Sequence, residues 1–319
     1  MKISVILPVF NGMKYLEASV LSVINQNISD YEFLICDDCS TDDSLDFLLG
    51  IQKKYPAKVS VIKNDVNLGL FKTLNRLIEN TQAPLIHLWA QDDIMKENCL
   101  QNCVEFHEEN PGISWSYHSL DYIDDAGTVI PFSKIDETPK IISTERYAHT
   151  SIRWGCIPGN ISNVTLTRKH LNLTGMFNPD MVLSGDFELF TRLASISAVG
   201  RNTANLIYLR FDAEQLTRNY KSIGSRIKED IAIHKTLLGL LSEDEKKQGL
   251  RYWKWKTQSS YFNDLLYLLS KKEFGESKKL LTILRQESNI IFLSLRWAIT
   301  RFLRALKLDI IFYKKVLDS

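Results

Sequence analysis

Two adjacent carboxylates, Asp92-Asp93, stand at the end of an apolar run, Pro84-Leu85-Ile86-His87-Leu88-Trp89-Ala90-Gln91, with no basic neighbour before Lys96. The run reads as a buried strand. In an open α/β sheet, ligands bind just beyond the carboxyl ends of the strands. Paired carboxylates there suit a hard divalent cation, which takes oxygen ligands and shares them with substrate phosphates. The bland reading is a turn in which one Asp caps a helix starting near Lys96. Three more acidic positions fall where strands end or helices begin: Asp37-Asp38, Asp186 and Asp212.

The elements that must hold these residues alternate along the first 110 positions. Ile3–Val9, Glu32–Cys36, Val59–Ile62 and Leu85–Ala90 are strand-like. Between them, Met13 to Gln26 carries Leu16, Val20, Val23 and Ile24 at helical spacing, and Leu68 to Glu79 places Leu70, Leu74, Leu77 and Ile78 on one face. Ser40-Thr41-Asp42-Asp43 reads as a capping box opening another helix, with Asp42 complementing its dipole. Alternation of this kind implies a parallel sheet with helices on its faces. After residue 111 the pattern changes. Trp115–Ile123, the turn Asp124-Asp125-Ala126-Gly127 and Thr128-Val129-Ile130 read as a hairpin. Residues 131–150 read as a loop over the sheet. Val164-Thr165-Leu166 and Leu206–Phe211 are expected as short strands, with a helix between them burying Phe187, Phe190, Leu193 and Ala194. From about Ser222 the chain is mostly helical.

Bulk properties narrow the function. With 319 residues, one large domain or two are expected. A net charge of +1 argues against a general nucleic-acid binder. The N-terminus reads as a first strand ended at Pro8, not as a signal peptide. No stretch approaches the roughly 20 apolar residues of a spanning helix. The 5 cysteines, Cys36, Cys39, Cys99, Cys103 and Cys156, are an odd set without a secretion signal, which favours free thiols. Cys36-Asp37-Asp38-Cys39 encloses two acids that oppose a redox role. No Cys/His cluster with zinc spacing is visible along the chain.

Six segments in order complete the reading: Ser4-Val5-Ile6-Leu7-Pro8-Val9-Phe10-Asn11, Ser22-Val23-Ile24-Asn25-Gln26, Cys36-Asp37-Asp38-Cys39-Ser40-Thr41-Asp42, Asn67-Leu68-Gly69 with Asn75, Gln91-Asp92-Asp93, and Ser184-Gly185-Asp186. Over residues 1–215 the chain resembles a family 2 glycosyltransferase with the GT-A fold. The resemblance implies a Rossmann-like mixed α/β sheet flanked by helices, and transfer of a sugar, of hexosyl or N-acetylhexosaminyl type, from a nucleotide diphosphate to an acceptor hydroxyl with inversion. It implies a nucleotide site built from Pro8, Val9, Phe10, Asn11, Asp38, Asn67, Gly69 and Asp92. Asp38 resembles the acid that accepts a hydrogen bond from the base, and an acceptor-only group can select a ring with an imino proton such as uracil; a UDP-sugar is therefore expected. Asp93 resembles the direct ligand of Mn²⁺ or Mg²⁺, with Asp92 sharing the metal or binding ribose. Asp186 resembles the general base, since the attacking hydroxyl must lose a proton; a helix-start acid is the alternative. Many relatives carry Arg-x-His after the last strand. Here Arg210-Phe211-Asp212 occupies that place, so Asp212 is a further candidate metal ligand, or else a surface acid.

The expected division is a catalytic domain over 1–220, with a nucleotide-binding half at 1–110 and an acceptor half at 111–220, followed by a helical region at 221–319. In residues 285–319, Arg285, Arg296, Arg301, Arg304, Lys307, Lys314 and Lys315 outnumber Glu287, Asp309 and Asp318. On a helical projection Ile299, Phe302, Leu303, Leu306, Ile310 and Leu317 fall opposite most of the basic residues. Residues 289–317 thus read either as a peripheral membrane helix or as a helix packed on the protein. Family membership implies a glycan or lipid-linked acceptor in lipopolysaccharide or other surface polysaccharide synthesis, at the inner face of the cytoplasmic membrane. The rival readings are a non-catalytic nucleotide-sugar-binding scaffold on the same fold and a sugar nucleotidyltransferase. The second lacks its phosphate loop, because Phe10-Asn11-Gly12-Met13 is neither Gly-rich nor basic.

Overall fold

The computed structural model describes residues 1–131, 136–211 and 223–308. They form two compact units, one from residues 1–144 and 158–213, the other from 145–157 and 214–319.

The first unit is built on one mixed sheet. Its parallel half comprises β1 (Ile3–Val9), β2 (Tyr31–Asp37), β3 (Val59–Lys63) and β4 (Leu85–Leu88). The remainder comprises β5 (Ile94–Met95), β6 (Trp115–Ile123), β7 (Val129–Ile130), β8 (Ile141–Ile142), β9 (Val164–Thr167) and β10 (Val199–Arg210). The order is β3-β2-β1-β4-β9-β6-β10-β5, with β7 on β6 and β8 on β10. β1 pairs in parallel with β2 and β4, while β9 is antiparallel to both β4 and β6. The helices of this unit are α1 (Met13–Ile24), α2 (Ser44–Lys54), α3 (Leu70–Glu79), α4 (Cys99–Glu109), α6 (Arg168–Thr174) and α7 (Gly185–Ala194). β1 is buried at Ile3, Val5, Leu7 and Val9 on one face and at Ser4 and Ile6 on the other, as a strand covered on both sides requires. Val5, Val9, Leu16, Val20, Phe33, Trp89 and Leu100 share one core.

Several local expectations change. α3 buries Leu74, Leu77 and Ile78 as expected, but Phe71 joins them in place of Leu70, which is exposed. The Ser40–Asp43 box does not form. α2 starts at Ser44, Asp42 accepts from Ser44 N and Met13 N, and Ser40 Oγ accepts from Asn11 N. Residues 144–150, the end of the expected loop, belong to α5 (Thr144–Trp154), whose buried Tyr147, Ala148, Ser151 and Ile152 give it an apolar stripe that the surrounding polar residues obscured. β10 runs from Val199, well ahead of the expected Leu206.

The second unit is helical. α5 joins α8 (Ile223–Gly239), α9 (Glu243–Tyr252), a π-helical turn at Trp253–Thr257, α10 (Gln258–Ser270), α11 (Phe274–Glu287) and α12 (Ile290–Ala305). Among the described residues no helix is long and apolar enough to cross a membrane.

Candidate active site

β1 and β4 lie side by side, so the segments beyond their carboxyl ends meet. Phe10 N donates to Gln91 Oε1 at 2.9 Å, and Gln91 Nε2 donates back to Phe10 O at 3.1 Å. A Cβ on Gly12 would sit 2.6 Å from the Gln91 side chain, so this position admits only glycine without displacing the clasp. Pro8 is half-buried and Val9 buried, while Phe10 and Asn11 are exposed at the rim. Asn11 Oδ1 accepts from Thr41 N at 2.8 Å, which ties this rim to the loop after β2.

Asp38 is buried and accepts three hydrogen bonds: from Asn64 Nδ2 (2.7 Å), Leu68 N (2.8 Å) and Gly69 N (2.9 Å). Gly69 has φ of 81°, in the left-handed region that favours glycine, and its N–H is also within reach of Asn67 Oδ1. Asp38 thus fixes the Asn67-Leu68-Gly69 turn in addition to any contact with a base. Asp38→Ala should lower the melting temperature as well as nucleotide affinity, each through lost charge-assisted bonds of roughly 1.5–3 kcal/mol. Thermal melts beside a nucleotide titration check this, and an unshifted melt would deny the structural role. Asp37, beside it, accepts from Ser40 N with Oδ2, while its buried Oδ1 has no partner. Burial pushes the Cys36 thiol up to about 12, which leaves it unreactive.

Asp92 and Asp93 end the β4 segment. The helix-cap reading fails here, because β5 follows directly and α4 begins only at Cys99, with Asn98 at its cap. Asp93 is 2% exposed. Its Oδ1 accepts from Arg210 N at 2.9 Å and its Oδ2 from Ser162 Oγ. Burial, reinforced by the neighbouring Asp92 charge, pushes its carboxyl up to about 7. Asp92 is half-buried, and its backbone carbonyl accepts from Arg210 Nε at 3.0 Å. Arg210 also donates to the carbonyls of Asp124 and Asp125 and lies 4.2 Å over the Tyr15 ring. It is the cationic post of the site, and β10 delivers it. Asp92 and Asp93 offer carboxylate oxygens, the donor type that a hard divalent cation takes. Asp212 lies outside the described residues.

Asp186 sits in the first turn of α7, half-buried, with Oδ1 accepting from Phe187 N at 2.8 Å. Gly185 before it is required by packing: a Cβ would meet the Phe71 ring at 2.7 Å. Phe71 stacks on Phe177 at 5.5 Å, and Asn75 holds Phe177 through a reciprocal pair with its backbone N and O. Glu188, two residues on, is engaged with Arg192, which also binds the carbonyls of Thr174, Gly175 and Met176. Lys72 is exposed on α3.

Sequence reasoning missed Ser162 and the structural part played by Gln91 and Arg210. Ser162 lies 69 positions from Asp93 in a loop with no local signal. It also missed a buried group: ligand atoms of His87, Cys99 and His118 lie within 4.8 Å of one another, which corrects the expectation that no Cys/His cluster exists.

Comparison with known proteins agrees with this arrangement. Residues 4–159 match the model of glycosyl transferase family 2. An uncharacterized glycosyltransferase of Rickettsia conorii is 24% identical over 253 residues, which are 78% of this chain and 40% of the relative. Chondroitin synthase of Escherichia coli is 24% identical over 201 residues, 61% of this chain and 26% of the synthase. The chain therefore spans well under two thirds of these relatives. The crystal structure of S. aureus TarS 1-349 in complex with UDP-GlcNAc aligns over 100% of this chain and 91% of that one, with a TM-score of 0.65 at 19% identity. That likeness is one of fold, and the mixed sheet flanked by helices is the GT-A arrangement. With the clasped strand ends and the Asp92-Asp93 pair, residues 4–159 are the part of the chain that matches glycosyl transferase family 2.

Proposed function

We propose that this protein transfers a sugar from a nucleoside diphosphate, a UDP-sugar by preference, to a hydroxyl of a surface glycan or its lipid-linked precursor, with inversion at the anomeric carbon. The observation that carries the reading is Asp92-Asp93 beyond β4, with Asp93 held by Ser162 Oγ and Arg210 N next to the β1 rim. Support for the donor comes from the fold shared with TarS, whose complex contains UDP-GlcNAc. A divalent cation bound by Asp92 and Asp93 would offset charge on the departing diphosphate. Pro8, Val9, Phe10 and Asn11 wall the nucleobase, and the Asp38-fixed turn at Asn67–Gly69 closes its other side. Arg210 holds the Asp92 and Asp124-Asp125 backbones in register. Asp186 takes the proton of the attacking hydroxyl at a side-chain oxygen. Thermal melts with UDP, GDP and dTDP, each with and without Mn²⁺, test the pocket. UDP with Mn²⁺ should stabilise most, by mass action on the folded state. A response equal for all three nucleotides, or none, would count against base reading.

We also place the protein peripherally on the inner face of the cell membrane, through α12. Its Ile291, Phe292, Leu295, Ile299 and Phe302, and Leu306 just past its end, are all exposed and share one arc at about 100° per residue. The opposite side packs on α10 through buried Leu293 and through Trp297, whose Nε1 donates to Asn263 Oδ1. The basic residues Arg296 and Arg301 belong to that packed side, bonded to Ser288 and Asn263. Lys314 and Leu317 lie outside the described residues. Phe292→Glu with Phe302→Glu should abolish flotation with anionic vesicles and leave the melting temperature within about 1–2 °C, since exposed positions have little effect on stability. Wild-type protein that stays at the bottom of the gradient would refute the membrane reading.

A further inference from the structure

The buried His/Cys group shares no residue with the candidate active site. His87 comes from β4, His118 from β6, and Cys99 and Cys103 from successive turns of α4. All four are at most 2% exposed. The two imidazole rings stack at 5.8 Å with an interplanar angle of 10°.

Hydrogen bonding fixes what the rings present. His118 Nδ1 is 3.0 Å from the carbonyl of Ser119. A carbonyl only accepts, so Nδ1 carries the proton and Nε2 carries the lone pair. That lone pair faces Cys99 Sγ at 3.7 Å. His87 Nδ1 lies 2.9 Å from Thr165 Oγ1, while its Nε2 is fully buried and has no hydrogen-bond partner. Cys103, one turn further along α4, interacts with Cys99 and His87 but stands outside the group of three whose ligand atoms lie within 4.8 Å of one another. An orphaned buried imidazole nitrogen is unusual in a core. His107, buried close by, shows the ordinary outcome, with its Nε2 bonded to Ser116 Oγ at 2.9 Å. One ring nitrogen anchored outward and the other left bare toward thiols is how metal-ligating histidines are held.

We propose that His87, Cys99 and His118 form the preformed part of a structural binding site for a borderline-soft divalent cation, of which zinc is the best match, and that the neighbouring Cys103 turns in as the fourth ligand when the ion binds. Zn–S and Zn–N bonds of about 2.3 Å and 2.0–2.1 Å in a tetrahedron put sulfur and nitrogen roughly 3.6 Å apart, and the Cys99–His118 separation of 3.7 Å meets this without rearrangement. Two thiolates neutralise the ion, so the bound group carries no net charge into the core. The donor set of sulfur and imidazole excludes Mg²⁺ and separates this site from the oxygen ligands of Asp92 and Asp93. The site staples α4 to the centre of the sheet. It also braces the acidic pair, because His118 exchanges backbone and side-chain bonds with Asn163, next to the Ser162 that holds Asp93.

Cobalt substitution of the purified full chain tests this. Stripping with a chelator and adding Co²⁺ should give a thiolate-to-cobalt charge-transfer band and intense visible bands of tetrahedral coordination at about one equivalent. Asp93→Asn should keep the spectrum, and Cys99→Ser with Cys103→Ser should lose it. Elemental analysis of the untreated wild type should find zinc in the same proportion. The proposal is overturned if wild-type protein takes up Co²⁺ with only the weak bands of an oxygen site, or if it binds neither Co²⁺ nor Zn²⁺. It is also overturned if the double cysteine variant keeps the charge-transfer band. The wild-type spectrum stands even if that variant does not fold.

Discussion

Asp93→Asn should abolish sugar transfer, with a loss on the order of a hundredfold or more, and yet give a protein at least as stable as wild type at pH 8. In the metal-free protein the Asp93 carboxyl sits near 7, above its ordinary value, because burial and Asp92 oppose its charge. Between about pH 4 and pH 7 the folded state therefore holds a proton that the unfolded chain has released. Stability falls as pH rises through that window, since the folded state binds more protons there. The penalty is fully present above about pH 7 and absent below about pH 4. The asparagine keeps Oδ1 as acceptor for Arg210 N, and its amide can donate to the Ser162 hydroxyl, which reorients. It carries no charge, so its advantage should be a few kcal/mol at most at pH 8 and should vanish toward pH 4. Mn²⁺ should raise the melting temperature of wild type and not of the variant. Urea melts of both proteins across pH supply the check. A variant that is less stable than wild type at every pH, or fully active, would contradict the assignment.

Asp186→Asn should leave nucleotide binding intact and slow transfer by roughly 10²–10⁴-fold. The substitution preserves shape and the acceptor oxygen that caps Phe187 N, so α7 should start where it does now. If Asp186 served only the helix dipole, the effect would be confined to about 0.3–1 kcal/mol of stability. Calorimetric titration with the nucleoside diphosphate and a single-turnover transfer assay separate these outcomes. Wild-type transfer in the variant would remove Asp186 from the reaction.

Much of the site could be read from local pattern, and the exceptions share a cause. The alternation of apolar runs and helical stripes gives the parallel half of the sheet, and the run ending at Asp92-Asp93 locates the acids at a strand terminus. What was illegible depends on residues far apart in sequence. Ser162 meets Asp93 only because the loop before β9 returns to β4, and no pattern around Ser162 announces that return. The His/Cys group draws single residues from β4, α4 and β6, so no ligand spacing exists to be found along the chain. α5 was missed because only four of its positions are buried, and they belong to the second unit's core. The exchange of Leu70 for Phe71 on the buried face of α3 has the same origin: Phe71 is buried because Gly185 leaves room for its ring, a contact across more than a hundred residues.

The central claim is that Asp92 and Asp93 bind the cation that supports departure of a nucleoside diphosphate. UDP release from a panel of UDP-sugars, measured for the wild type with Mn²⁺ and again after chelation, tests it most directly. The account predicts release from at least one donor that stops on chelation, returns with Mn²⁺ or Mg²⁺, and is lost in Asp93→Asn. Release that continues at the same rate in the chelated protein, or in that variant with metal present, would contradict it.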